Sequence, residues 1–203
     1  MPRGSRPLPG PQAIHSQARR ALARFGMLQG IWASRLAQAS PDLVRFINRF
    51  HRVAGFQRVV QDRFAGPARA ARARLTQRLA HRLANRDPNF VGRMAFQRVV
   101  GVALGGHPLI TVDLIHRERR YHLLPWTQLH PWAVQQQLLR DMALATGPGA
   151  VRWVFDGRRL GLDRGRLLRS LRQLLQDPGS SLPRQPALGR WLAQLPSIVL
   201  LLP

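Results

Sequence analysis

The chain has 203 residues, 45% of them hydrophobic, enough apolar content for a packed core and too much for a disordered polyelectrolyte. All 32 basic residues are arginine, set against nine acids, and the net charge of +23 is the footprint of a protein that meets nucleic acid or another anionic surface, although a GC-rich coding bias also turns lysine into arginine. Without cysteine there is no disulfide, thiolate metal site or cysteine nucleophile, and no apolar run is long enough to span a membrane.

Residues 1–11 hold four Pro and two Gly and read as a disordered arm. No apolar segment of a secretory signal follows the basic start, so the expected location is the cytoplasm. The acid-free first 41 residues nevertheless resemble a transit peptide, which leaves organelle import or non-Sec export open.

An arginine-rich helical region is expected over 12–105. Ile14, Ala18, Leu22, Phe25, Leu28, Ile31, Trp32 and Leu36 recur at helical steps. Ser40 as N-cap, Pro41 at the first helical position and Asp42 start the next helix, which buries Leu43, Phe46, Ile47, Phe50 and Val53 and stops at Gly55. The pentapeptide FQRVV follows at Phe56–Val60 and returns at Phe96–Val100. Two copies are too few for a solenoid. Phe, Val and Val at i, i+3 and i+4 read as one buried helix face in each copy.

Between the copies, residues 67–88 form a helix opened by Pro67 and closed by Asp87-Pro88. Arg74, Arg78, Arg82 and Arg86 repeat at every fourth position beside a Leu75, Leu79 and Leu83 stripe. They are the candidate nucleic-acid-binding residues, able to follow a phosphate backbone or an acidic partner; the alternative is a solvated face. Residues 1–105 carry 19 Arg and 3 Asp, a balance of +16, against +7 for the remainder.

After Gly105-Gly106 the composition becomes strand-like, and 106–203 read as a small α/β domain in the order β-β-α-β-α-β. The strands fall at about 109–115, Arg119–Leu124, 150–155 and Ser197–Leu202. The helices fall at about 130–145, after the Asp163 cap, and around Trp191. Asp156-Gly157 reads as a turn, and 178–186 as a loop. The expected class is therefore α+β. His107, His116, His122 and His130 crowd this half near Asp113, Glu118 and Tyr121, but their spacing matches no zinc motif, and polar surface is the favoured reading. No GxSxG or phosphate-loop pattern is present.

In the order of its elements, 108–176 resembles the PD-(D/E)xK nuclease superfamily, including the restriction-endonuclease-fold toxin domains of bacteria. The resemblance rests on Asp113 in a strand, the strand Arg119–Leu124, the Gln135, Gln136, Gln137 helix and the VRWVFDG strand. It implies an Asp and a Glu holding Mg²⁺, with a Lys two residues beyond the Glu. Here Leu124-Pro125-Trp126-Thr127 stands where Glu-x-Lys belongs, and the chain has no Lys. The resemblance therefore implies a degenerate site; were it active, Asp113, Glu118 and His122 would be its catalytic residues. No cofactor is expected outside that case.

The sequence thus points first to a basic protein that binds nucleic-acid backbones through arginine-rich helices. An assembly protein meeting acidic protein surfaces comes second, and a metal-dependent nuclease toxin third.

Overall fold

The computed structural model describes residues 40–101, 110–144, 147–177 and 186–203, together with Ser16 and Arg20. The expected arm, the apolar stripe up to Leu36, His107 and nearly all of the 178–186 loop lie outside the described residues.

Three helices come first: α1 Pro41–Phe50, α2 Phe56–Asp62 and α3 Pro67–Ala84. Strands β1 Met94–Gly101, β2 Ile110–His116 and β3 Arg119–Leu124 follow. Then come helix α4 Pro131–Leu144, strand β4 Val151–Asp156 and the single turn α5 Gly157–Leu160. Helices α6 Arg164–Gln176, α7 Pro186–Ala193 and α8 Leu195–Ile198 lead to β5 Val199–Leu202. The architecture is α+β, with a five-stranded mixed sheet in the order β1-β2-β3-β4-β5. The first three strands form an antiparallel meander, and β3, β4 and β5 run parallel. Parallel neighbours need crossover connections, supplied by α4 and by α6–α8.

The second FQRVV is a correction: it is not a helix but part of β1. Phe96 pairs with Leu114 and Ala95 with Ile115. Phe and Val favour strands at least as strongly as helices, so the partner available in space decides. The first copy lies on α2 as expected, with Phe56, Val59 and Val60 buried. The two copies meet at Gly55. Its φ is +78°, and a Cβ there would fall 2.1 Å from the Phe96 carbonyl oxygen. The Phe96 N–H donates to the Ala54 carbonyl at 2.8 Å. Only glycine combines that backbone conformation with that approach. Asp156-Gly157 is also corrected, from a turn to the junction between β4 and α5, and Ser197 and Ile198, expected at the start of the last strand, are helical.

Helices cover both faces of the sheet. Phe46, Phe50, Leu75 and Leu79 of α1 and α3 pack on Phe96, Leu114, Leu123 and Val154. Val134, Leu138, Leu167, Leu171 and Trp191 pack on Leu124, Trp153, Phe155 and Val199 from the other side.

Candidate nucleic-acid interface

Helix α3 buries Leu75 and Leu79 completely and so turns its arginines away from the core. The four-step stripe is not uniform. Arg74 and Arg86 are exposed, whereas Arg78 and Arg82 are half-buried. Arg78 places Nη2 2.5 Å from Asp156 Oδ2, and its Nη1 donates to the Pro203 carbonyl at 2.7 Å. It therefore ties α3 to the ends of β4 and β5.

Two cavities flank α3, and Arg159 lines both. The first, about 770 Å³, gathers Arg58, Arg69, Arg72 and Arg159 around Asp62 and Asp113. Arg72 Nη1 lies 3.7 Å from Asp113 Oδ1, and Asp113 Oδ2 accepts the Leu123 N–H at 2.8 Å. Burial pushes the Asp113 carboxyl up and outweighs the opposing pull of Arg72 and the Leu123 N–H. Gln97 donates to Asp62 Oδ2 at 2.5 Å from a backbone with φ of 46°. The second cavity, about 940 Å³, lies against α1 and the β4–α5 corner. A third hollow brings Arg86 together with Arg117 of the β2–β3 turn and Arg119 and Arg120 of β3.

Asp113 and His122 come together, because continuing the β2–β3 register past Leu114 and Tyr121 sets them level on neighbouring strands. Glu118 does not join them. It stands exposed in the β2–β3 turn and lines the third hollow, whereas Asp113 lines the first cavity. His122 Nε2 lies 2.9 Å from Asp141 Oδ1, while Asp141 Oδ2 accepts the Trp153 indole N–H at 2.6 Å and a Gln137 N–H at 3.0 Å. All but Gln137 of this group are buried between the sheet and α4, a cross-link rather than an open site.

A parallel arrangement holds the other face. His116 Nε2 is 3.0 Å and Arg117 Nε 3.1 Å from Asp87 Oδ2. Burial opposes ionisation of Asp87, but those two hydrogen bonds prevail and hold its carboxyl below the usual range. Sequence reasoning missed both Asp–His pairs because their members lie far apart in the chain and carry no shared motif. Among the described residues no group of three or more His, Cys, Asp or Glu is placed to hold a metal ion.

No protein-family model matches the chain, and neither the curated proteins nor the solved structures contain a significant match. No helix among the described residues is long and apolar enough to cross a membrane.

Proposed function

We propose that the protein binds the phosphate backbone of nucleic acid along both flanks of α3. The observation that carries this reading is the excess of guanidinium groups over carboxylates there: Arg58, Arg69, Arg72 and Arg159 on one side, Arg63, Arg74 and Arg158 on the other. Arg58, Arg69, Arg74, Arg158 and Arg159 form no ion pair within the described residues. A phosphate chain laid across α3 supplies the missing anions and releases its own counterions, so affinity falls steeply with salt. A cytoplasmic location, with access to nucleic acid, fits this reading. Cleavage forms no part of it, since Asp113 and Glu118 line different concavities.

The test is fluorescence anisotropy with labelled duplex and single-stranded oligonucleotides. Between about 50 and 200 mM salt the affinity falls roughly 10³-fold, as for a protein neutralising six or more phosphates. Changing Arg69, Arg72, Arg74 and Arg159 together to Gln removes most of the binding while the helical circular dichroism remains. Binding that ignores salt overturns the reading. Binding to an acidic polypeptide that nucleic acid fails to displace moves it to the acidic-protein alternative.

A further inference from the structure

The cavity against α1 and the β4–α5 corner differs from a general basic surface. Its volume of about 940 Å³ falls within the range of small-molecule sites, roughly 300–1,000 Å³. Two of its carboxylates are already engaged, Asp42 by Arg45 and Asp156 by Arg78. Arg63 is half-buried and donates to the Ser40 hydroxyl at 3.2 Å. Burial, and then the charge of Arg74, make its guanidinium easier to deprotonate, and Asp42 offsets this only in part. Arg63 and Arg74 therefore repel one another in the cavity that both line.

A second observation is independent of charge. Gln77 lines the same cavity and is 5% exposed, yet its side-chain Nε2 finds no acceptor among the described residues. Asp156 Oδ1, also on the cavity wall, finds no donor among them. Buried polar groups are nearly always satisfied, by protein, water or ligand. This cavity thus presents an unmatched amide donor, repelling guanidiniums and one unmatched acceptor.

We propose that the cavity is a phosphomonoester site, taking the terminal phosphate of a nucleic-acid strand or the phosphate of a free nucleotide. The phosphate oxygens accept from Arg63, Arg74 and Gln77, and a hydroxyl or amino group of the same ligand donates to Asp156. A monoester brings close to two negative charges at neutral pH and one unencumbered end. An internal phosphodiester carries a sugar on both sides and stays at the rim, away from the buried Gln77. The strand-end form rests on the nucleic-acid reading above; the nucleotide form does not.

Two measurements separate these sources. In the first, calorimetry compares adenosine 5′-monophosphate with adenosine. The monophosphate binds, adenosine does not, and Gln77→Leu weakens the monophosphate about tenfold, the size of one charge-assisted hydrogen bond. In the second, anisotropy compares oligonucleotides of one sequence with 5′-phosphate or 5′-hydroxyl ends. The phosphorylated strand binds about tenfold more tightly, and the Arg63→Gln, Arg74→Gln double variant abolishes that ratio. Should the double variant unfold by circular dichroism, Arg74→Gln alone, at an exposed position, reads the same ratio. Monophosphate binding without oligonucleotide binding upholds the cavity and removes the backbone reading. Oligonucleotide binding with no end preference and no monophosphate binding upholds the backbone reading and overturns the cavity.

Discussion

The two faces of the sheet are covered by helices of opposite character. On the α1–α3 face, arginines converge on concavities and outnumber the carboxylates they meet. On the α4, α6–α8 face the helices are leucine- and tryptophan-packed, and the buried Asp141 is fully engaged by His122, Trp153 and Gln137. Arginines occur there too, on the outside of α6, where only Arg169 and Arg172 share a hollow of about 620 Å³, beside Asp177. Arg166 Nε lies 3.4 Å from Asp163, and Arg164 donates to the Pro196 carbonyl at 2.6 Å. A net charge of +23 does not by itself locate a binding surface. What distinguishes the two faces is convergence: four or more guanidiniums share each hollow along α3, whereas two share the hollow on α6.

The largest effect expected from breaking this contrast is on the shared core of the first face. Phe96→Ala and Phe56→Ala each lower stability by about 3–5 kcal/mol, measured by denaturant unfolding, because both rings are buried. An unchanged midpoint for either would place that copy of FQRVV at the surface.

A smaller loss belongs to the second face. Asp141→Asn leaves one of its donors without an acceptor and costs about 1–3 kcal/mol. Oligonucleotide affinity stays at the wild-type value, whereas a loss of binding in the folded variant would erase the distinction between the faces.

The first face also carries a pH dependence. His81 packs edge-on against Phe50, with ring centroids 5.0 Å apart. Burial, followed by the charges of Arg49 and Arg45, lowers its pKa to about 4 from 6.5. The unfolded chain then takes up a proton that the folded protein refuses, so the contribution is complete above about pH 6.5 and is lost as pH falls towards 4. The melting temperature should drop across that window, and His81→Leu should flatten the drop. An equally steep profile in the variant would assign it to other groups.

The smallest effect is expected on α6. Arg169→Gln with Arg172→Gln, at exposed positions on that helix, changes oligonucleotide affinity by less than about threefold, within the range of surface charge effects. A loss as large as that from the α3 arginines would show that net charge, not placement, governs binding.

Much of the fold was legible locally. Arg119–Leu124 forms the strand that Tyr121, Leu123 and Leu124 suggest, and Asp163 caps α6 by accepting the Arg166 N–H at 2.8 Å. Ser40 marks the start of α1, though its hydroxyl serves Arg63 rather than the helix end. The second FQRVV was not legible, because Phe96 becomes a strand residue only through pairing with Leu114 across a distant connection. The candidate site was legible in part. The α3 stripe was visible as a four-residue step, but nothing in the step shows that Arg78 is held by Asp156. The cavities join residues from α1 or α2 through to Arg159, and such a gathering has no sequence period. Asp113 and His122 fall level because the turn lies at Arg117-Glu118, which also carries Glu118 away from them.

The most direct test of the central claim is the salt slope of oligonucleotide binding in two quadruple variants. One changes Arg58, Arg69, Arg72 and Arg159 to Gln, and the other changes Arg164, Arg166, Arg169 and Arg172 to Gln. Each phosphate contact contributes about 0.9 to the slope of log affinity against log salt for duplex DNA. The first variant should lose roughly 3–4 from the slope and the second close to none. Equal losses in the two variants, or a larger loss in the second, would contradict the account.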